Sequence, residues 1–284
     1  MRWLSDRTVQ HLRRVAEWPD LGETKYRILE ELGRGGMGTV YLAEDSVLGR
    51  AVALKVIATS AAHAGAAERM WNEARVLARL EHPGIVPVHD AGALPDGRIF
   101  YAMKRVDGKR LDELAGVMPV PERLRTFRRL CETVAFAHDR GIAHRDLKPE
   151  NVMVGPFGEV LVMDWGVAKA LAAEPRPQAS EALVAPAGAA TAEGAVVGTL
   201  SYMAPEQAEG AGDRTGTPAD VYGLGAILYF LLTGRAPFEG KAADRRALGA
   251  ASRAEPPPPR RVNPAAAPAL EAIVLKAMAI EPGQ

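Results

Sequence analysis

Short apolar runs separated by turn residues occupy the first hundred residues, a pattern typical of β-strands. Apolar and β-branched residues dominate 26–32, 39–43 and 51–57, with a glycine cluster and a polar turn between them. This spacing predicts an antiparallel meander. Residues 65–80 carry a helical pattern that ends at His-Pro-Gly, and strand-like runs return from 85 to 103. The first part of the chain is therefore predicted to be mostly strand with one helix.

A helical pattern takes over after Gly108. One apolar helix in this part of the chain is expected to begin with Thr217 as its N-cap, Pro218 in its first turn and Asp220 three positions on, and to end at Gly234. The larger part of the chain is thus predicted to be mainly helical, which makes the fold class α+β. A long helix that precedes this apolar helix in the sequence is predicted because five residues recur at steps of three and four and so share one helix face: Leu124, Phe127, Cys131, Val134 and His138.

Composition and charge fit a folded, soluble chain without a strong electrostatic preference. Hydrophobic residues make up 48% and charged residues 25% of the 284 residues, and 35 basic residues balance 35 acidic ones. This balance gives no sign of nucleic acid as a partner. The polar first twenty residues do not resemble a signal peptide, and the apolar stretch 221–232 is too short to cross a bilayer. The single cysteine, Cys131, cannot form an internal disulfide and is interpreted as a small core residue. We therefore expect a cytoplasmic chain with no membrane segment.

The first motif with a chemical meaning is a glycine cluster. In a dinucleotide site the third glycine of such a cluster opens a helix, whereas here the β-branched and aromatic residues 39–42 follow. The cluster is therefore interpreted as the tip of a β-hairpin, where glycines let backbone N–H groups approach phosphate oxygens. A plain flexible hairpin is the alternative for this motif taken alone. The cluster is Gly33-Arg34-Gly35-Gly36-Met37-Gly38.

A lysine ends the next apolar strand, Val52-Ala53-Leu54-Lys55. Alternation along the strand directs Lys55 to the face opposite its apolar neighbours, beneath the glycine tip, where it can reach phosphates. Such a lysine needs an anion to hold it, and Glu73 in the helix predicted for 65–80 is the best candidate. Taken alone, Glu73 is more typical of a solvated helix surface.

The octapeptide His144-Arg145-Asp146-Leu147-Lys148-Pro149-Glu150-Asn151 concentrates acidic, basic and amide groups just after the long helix. Asp164 then follows the apolar strand 160–163 and opens the sequence Asp-Trp-Gly. Mg²⁺ prefers a few oxygen ligands from the protein and completes its octahedron with phosphate oxygens and water. Asn151 and Asp164 are therefore the predicted metal ligands.

In this order, the glycine loop, Val-Ala-x-Lys, His-Arg-Asp-x-x-x-x-Asn, Asp-x-Gly and Ala-Pro-Glu at 204–206 resemble the eukaryotic-like protein kinase family, and most of all its bacterial members. The resemblance extends from about residue 26 to the end of the chain. It implies a bilobal protein-kinase-like fold, with an N-terminal extension (1–25), a small antiparallel β lobe with one helix (26–104) and a larger helical lobe (105–284). It also implies a serine/threonine protein kinase in bacterial signal transduction, which uses ATP and Mg²⁺, acts on protein substrates and self-associates for autophosphorylation.

The resemblance also assigns roles. Asp146 would take the proton of the acceptor hydroxyl, and Lys55 would pair with Glu73 and the α/β-phosphates. Lys148 resembles serine/threonine kinases rather than tyrosine kinases, and Thr199 would steady both Asp146 and Lys148 near the acceptor. Met103 would be the gatekeeper residue, followed by a hinge at 104–106. The implied nucleotide contacts are Leu32, Gly33, Arg34, Gly35, Gly36, Met37, Gly38, Val40, Ala53, Lys55, Met103, Val106 and Met153.

Three features qualify the resemblance. Trp165 replaces the usual phenylalanine, and we expect the packing to tolerate the larger ring. The Ala/Pro/Gly-rich stretch 170–197 offers Ser180 and Thr191 for autophosphorylation. Arg145 is placed as in kinases that order this loop by pairing with a phosphate, and Glu193 lies near the position at which relatives carry a phosphothreonine. Relatives carry an arginine beyond the last helix, predicted at 270–280, that pairs with the glutamate of Ala-Pro-Glu. The C-terminal end is therefore interpreted as truncated, with Glu206 lacking its partner.

Three alternatives stay open at this point. A pseudokinase scaffold would keep the fold without transferring phosphate, but Lys55, Glu73, Asp146, Asn151 and Asp164 all stand. A small-molecule phosphotransferase would not need the segment before Ala-Pro-Glu on which a polypeptide docks. A dinucleotide oxidoreductase is disfavoured by the hairpin context of the glycine cluster.

Overall fold

The computed structural model describes residues 18–22, 24–35, 38–57, 66–165, 169–170, 201–208, 216–238 and 255–281. Two compact units are present: one comprises the chain through Ala74 together with Val88–Arg105, and the other comprises Arg75–Pro87 and the chain from Val106 onward. Six residues named in the predictions above lie outside the described ones: Gly36, Met37, Ser180, Thr191, Glu193 and Thr199.

The first unit is built on a five-stranded antiparallel sheet with the spatial order β1-β2-β3-β5-β4. Asp45 closes the turn between β2 and β3, because its Oδ1 accepts hydrogen bonds from the backbone N–H groups of Val47 and Leu48. The meander predicted from alternating apolar runs is confirmed. Its strands are β1 Tyr26–Gly35, β2 Gly38–Asp45, β3 Arg50–Ile57, β4 Val88–Ala93 and β5 Ile99–Lys104.

Side-chain alternation divides this sheet into a core face and a face that carries polar groups. Tyr26, Tyr41, Leu54 and Phe100 belong to the buried cluster on the core face. Lys55 is the neighbour of Leu54 along β3, so its side chain points to the opposite face. Helix α1, Ala66–Arg79, follows β3 and matches the prediction for 65–80 to within one residue at each end.

The second unit is mainly helical, as predicted. Its apolar core surrounds the helix α5, Thr217–Thr233, and includes Tyr222, Leu228, Tyr229 and Leu232 from that helix. Across the described residues, no helix has both the length and the apolar character needed to cross a membrane. In chain order the helices are α2 Leu111–Leu114, α3 Val120–Asp139, α4 Pro205–Ala208, α5 Thr217–Thr233, α6 Pro259–Val262 and α7 Pro268–Ala277.

Short strands bracket the octapeptide loop and the Asp-Trp-Gly sequence. The pairings are β6-β8-β9 in one sheet and β10-β7 in another. Strand β7 leads directly into His144, β8 follows Asn151, and β9 precedes Asp164 by two residues. These strands are β6 Lys109–Arg110, β7 Ile142–Ala143, β8 Val152–Val154, β9 Val160–Val162 and β10 Lys169–Ala170.

Two local predictions need correction. The N-cap of α5 is Gly216 rather than Thr217, and no side chain caps this helix end, whereas the predicted stop at Gly234 is confirmed by its left-handed φ of 72°. Asp220 lies in the first turn of α5, as predicted, and is buried with 1% of its surface exposed. Cys131 is half-buried rather than a core residue, because the most buried face of α3 is one step away from the predicted stripe.

Candidate active site

In the first unit, Lys55 and Glu73 form a buried ion pair. The Nζ of Lys55 donates to both carboxylate oxygens of Glu73, each at 2.9 Å. Only 11% of the Lys55 side chain and 2% of the Glu73 side chain are exposed. Taken alone in the sequence, Glu73 was interpreted as a solvated residue on the helix surface. The structure places it instead on the inner side of α1, against β3.

Tyr101 is a third member of this group, and sequence reasoning missed it. Its hydroxyl donates to Oε1 of Glu73 at 2.9 Å, and the Lys55 Nζ lies 5.6 Å from the centre of its ring. Tyr101 is the cross-strand neighbour of Lys55 in the β3–β5 pairing, which puts both side chains on one face. A tyrosine within the apolar strand β5 is the available signal, because a buried phenol usually finds a hydrogen-bond partner.

The described glycines of the cluster, Gly33, Gly35 and Gly38, lie at the end of the β1–β2 hairpin. Gly35 pairs with Gly38 at its end, which confirms the hairpin interpretation over a dinucleotide loop. Gly38 has a φ of 154°, and a Cβ there would lie 2.2 Å from the carbonyl oxygen of Val56. At Gly33 and Gly35 an added Cβ would meet nothing within 4 Å. Close packing therefore requires glycine at Gly38, whereas Gly33 and Gly35 leave open space for an approaching group.

The other predicted nucleotide contacts are divided between the two units. Val40, Ala53 and Met103 belong to the first unit with the exposed Leu32 and with Arg34, whose guanidinium binds Glu31. Ala53 and Met103 are buried and are cross-strand neighbours. Val106 and Met153 belong to the second unit, where both are half-buried.

In the second unit, Asp146 is held by two side chains from its own loop. Lys148 Nζ donates to Asp146 Oδ2 at 2.9 Å. Asn151 Nδ2 donates to the same oxygen at 3.1 Å and to the Asp146 backbone carbonyl at 2.8 Å. A 3₁₀ turn, Pro149–Asn151, brings Asn151 back toward Asp146. Both donors bind Oδ2, so Oδ1 has no hydrogen-bond donor within the described part of the chain.

The backbone of this loop is fastened to α5 by Asp220. Its Oδ1 accepts from the N–H of Arg145 at 2.7 Å, and its Oδ2 accepts from the N–H of His144 at 2.8 Å. His138 Nε2 lies 2.7 Å from the same Oδ2. A buried carboxylate is stable only with such partners. Here the partners are His138 and the backbone of the two residues that precede Asp146.

His144 connects the loop to the Asp-Trp-Gly segment. Its Nδ1 accepts from the N–H of Asp146 at 3.2 Å, so the ring proton lies on Nε2, which donates to the Met163 carbonyl at 2.9 Å. Trp165 is 1% exposed and packs edge-on against the His144 ring, with 4.6 Å between ring centres. Its indole N–H donates to the Val162 carbonyl at 3.2 Å. The larger ring is therefore accommodated with its polar group satisfied.

Asn151 and Asp164 lie at neighbouring points of the second unit. The backbone N–H of Met163 donates to the Asn151 carbonyl at 2.8 Å, which aligns the end of the octapeptide loop with the residue before Asp164. Asp164 is exposed and has a φ of 56°, a rare conformation for a residue other than glycine. The Asn151 amide nitrogen donates to Asp146, so the oxygens that these two residues could offer a metal are Asn151 Oδ1 and the Asp164 carboxylate. This donor chemistry suits Mg²⁺.

One expectation about the Ala-Pro-Glu segment is wrong. Glu206 is half-buried and has an interaction partner in the structure. The expectation that Glu206 lacks a partner is therefore not met.

Comparisons with known proteins give one consistent result. A family model described as protein kinase domain matches residues 26–268. The serine/threonine-protein kinase PrkC of Bacillus subtilis is 37% identical over 263 residues, which cover 91% of this chain and 38% of PrkC. Pkn1 of Myxococcus xanthus is 40% identical over 267 residues, which cover 90% of this chain and 36% of Pkn1.

The solved structures agree with these sequence relatives. The Mycobacterium tuberculosis PknI kinase domain is similar with a TM-score of 0.65 at 29% identity, over 91% of this chain and 89% of that structure. The chain spans 24% to 40% of the length of the curated relatives it matches. The similarity therefore concerns one domain of longer proteins.

Proposed function

This chain belongs to the protein kinase domain family, and on that premise we propose that it transfers the γ-phosphate of ATP to serine and threonine hydroxyls of protein substrates. The observation that carries the proposal is the set of hydrogen bonds from Lys148 and Asn151 to Asp146. A scaffold that only binds partners has no need of a carboxylate held in this way. The names of the related proteins support the same activity.

Asp146 is the proposed acceptor of the hydroxyl proton. Lys148 and Asn151 occupy Oδ2 and orient the carboxylate, so that Oδ1 is the oxygen to which an acceptor hydroxyl can donate. Partial removal of that proton makes the oxygen a better nucleophile as its bond to the γ-phosphorus forms, while the bond from that phosphorus to the β,γ-bridging oxygen of ATP breaks and ADP leaves. The positive charge of Lys148, next to Asp146, then stabilises the negative charge that develops on the transferred group. Thr199 is proposed to steady both side chains.

Lys55 is the proposed contact for the α- and β-phosphates. Its ammonium group is already desolvated and oriented by Glu73 and Tyr101, so little further ordering is needed when phosphates bind. The other proposed nucleotide contacts are the glycine hairpin, Val40, Ala53 and Met103 in the first unit, and Val106 and Met153 in the second unit. Phosphoryl transfer depends mainly on such positioning and on charge neutralisation.

Asn151 and Asp164 are the proposed ligands of Mg²⁺. Both offer oxygen atoms, and the Met163–Asn151 backbone bond keeps the two residues next to each other. Held by these two residues, the ion would supply positive charge that neutralises the phosphates. The chain's own contribution is to hold two oxygen donors in a fixed relation.

A role in bacterial signal transduction, with autophosphorylation between associated copies, is part of the proposal. Serine and threonine residues between Asp164 and Glu206, Ser180 and Thr191 among them, are the proposed sites. The alternative is a pseudokinase, which would keep the fold without transferring phosphate, so a measurement of phosphotransfer distinguishes the two.

The test is phosphotransfer from radiolabelled Mg-ATP to a mixed serine/threonine peptide library, with phosphosites mapped by mass spectrometry. We expect Asp146→Asn to lower the rate by about 10²–10⁴-fold and Lys55→Met by about 10²–10³-fold. Each variant is compared with the unaltered chain by thermal melting to show that it is folded. A folded Asp146→Asn protein with unaltered phosphotransfer would contradict the proposal, and a folded wild type that binds ATP without transferring phosphate would favour the pseudokinase.

A further inference from the structure

Gln207 bonds two backbone segments that are far apart in the sequence. Its Oε1 accepts a hydrogen bond from the N–H of Ala204 at 3.1 Å, and its Nε2 donates to the carbonyl of Arg145 at 2.7 Å. Ala204 lies beside Gln207 in the segment 201–208, whereas Arg145 is 62 positions earlier. A primary amide accepts at one end and donates at the other. Gln207 therefore uses both ends of its amide on main-chain groups.

The carbonyl that Gln207 binds belongs to a residue in an unfavourable conformation. Arg145 has a φ of 70°, which is costly for a residue with a Cβ and persists only where the surroundings enforce it. Asp220 binds the N–H of Arg145 at 2.7 Å, and Gln207 binds its carbonyl. The backbone of Arg145 is thus held on both sides, from α5 and from α4.

The geometry of Asp146 depends on this conformation because Asp146 is the next residue. If Arg145 relaxed to an ordinary φ, the chain direction at Asp146 would change, and Lys148 and Asn151 would no longer meet the same carboxylate oxygen. The contact is compact: Arg145, Asp146 and Gln207 line one small pocket together with Tyr202 and Met203. Displacement of the segment 201–208 would therefore withdraw one of the two restraints on Arg145.

We propose that Gln207 is a positioning residue for phosphoryl transfer, which makes an ordered segment 201–208 a condition for the catalytic geometry of Asp146. This inference rests on the proposed kinase function and deepens it. In this role Gln207, the residue after Ala-Pro-Glu, links the Arg145 carbonyl to the backbone N–H of Ala204. Gln207 itself does not touch the acceptor or the nucleotide in this role.

Gln207→Met tests the proposal because methionine has a similar length and lacks both hydrogen-bonding groups. Asn263→Ala is a matched control. The Asn263 amide has the same bonding pattern, since Nδ2 donates to the Leu232 carbonyl at 2.7 Å and Oδ1 accepts from the N–H of Ala265 at 3.1 Å. It does so at the other end of α5, away from the catalytic loop.

We expect Gln207→Met to lower kcat for peptide phosphorylation by roughly 10–100-fold, as for a misplaced catalytic group, while the Kd for ATP stays within about twofold of wild type. A merely structural role would not separate these two quantities. Asn263→Ala should leave kcat within about twofold even if it lowers the melting temperature. Unchanged kcat in Gln207→Met, or an equal loss in Asn263→Ala, overturns the proposal.

A second readout does not require phosphotransfer. Amide hydrogen exchange of a fragment covering 142–152 should become roughly tenfold faster in Gln207→Met, since one restraint on the loop is gone, with no change in a fragment covering 259–275. Unchanged exchange at 142–152 contradicts the inference whatever the activity. A wild type that transfers no phosphate contradicts the proposed function instead, and the exchange comparison then stands on its own. Gln207→Ala is the replacement if the methionine variant does not fold.

Discussion

Glu73 is a buried acidic residue of the first unit that depends on its hydrogen-bond partners. Its carboxylate is almost completely buried and receives two hydrogen bonds from Lys55 and one from Tyr101. Removing one partner of a buried ion pair is strongly destabilising, because the remaining charge loses its compensation. The Tyr101 hydroxyl supplies Glu73 with a neutral donor in addition to the Lys55 ammonium. If Lys55 binds phosphates as proposed, this hydrogen bond to Glu73 would remain.

Tyr101→Phe should weaken this group without disturbing the packing, since only the hydroxyl is lost. A hydrogen bond to a charged group contributes about 1.5–3 kcal/mol, so we expect kcat/KM for ATP to fall by roughly tenfold as Lys55 and Glu73 lose part of their preorganisation. Steady-state kinetics with varied ATP measures this change. Tyr26→Phe is the matched control, because the Tyr26 hydroxyl donates to Asp90 at 3.0 Å in the same unit. Equal kinetics for the two variants would show that the Tyr101 hydroxyl has no role in the site.

Among the elements, the β1–β2 hairpin shows how one strand position constrains a functional loop. Strand β2 pairs with β1 on one side and β3 on the other, and Gly38 lies opposite both Gly35 and Ile57. Because the Val56 carbonyl occupies the space a Cβ would need, the hairpin can approach β3 only with glycine at this position. Gly38 is thereby held next to the strand that carries Lys55.

Gly38→Ala should destabilise the hairpin, whereas Gly33→Ala in the same loop should not. Strain of this kind costs about 1–3 kcal/mol, which for a chain of this size corresponds to a lowering of the melting temperature by several degrees. At Gly33 the added methyl group meets nothing within 4 Å, and we expect the free energy of unfolding to stay within about 0.5 kcal/mol. Thermal melting of both variants without nucleotide decides the matter. Equal midpoints would show that β3 yields to the added Cβ.

At the scale of the whole molecule, each unit has its own apolar core. The first is built around Tyr41, Leu54 and Phe100, and the second around α5. The single cysteine of the chain, Cys131 on α3, reports on the second unit. Burial raises the pKa of its thiol from 9.0 to about 11, and the neighbouring Glu132 carboxylate adds to this shift.

Alkylation of Cys131 should therefore measure unfolding of the second unit. At pH 8 a pKa raised by about two units lowers the thiolate fraction about 100-fold, and only the thiolate reacts, so iodoacetamide should label the protein about 100-fold faster in concentrated urea. The folded state holds the thiol proton more tightly, so this group's contribution to stability is complete below pH 9 and declines as the pH rises toward 11. A free thiol peptide is the control for the reagent. Similar labelling rates with and without urea would contradict the shielding of Cys131.

Much of the fold could be predicted from periodicity. The meander, helix α1, the glycine hairpin and the stop of α5 at Gly234 were predicted within a few residues, because alternation and turn residues are local signals. The N-cap of α5 and the burial of Cys131 were not. A threonine before a proline fits a cap and the first helical turn equally well, and a stripe of apolar residues does not say which flank of it packs most deeply.

The sequence by itself determined the chemistry that depends on near neighbours. Asp146, Lys148 and Asn151 lie within five positions of one another, and a single loop brings them together. Only the tertiary structure decided the partners that hold this chemistry in place. Tyr101 reaches Glu73 across 28 positions, Gln207 reaches Arg145 across 62, and Asp220 reaches His144 across 76. Such contacts depend on strand register and helix packing, which no local pattern encodes, because they form only when distant apolar faces have been buried together.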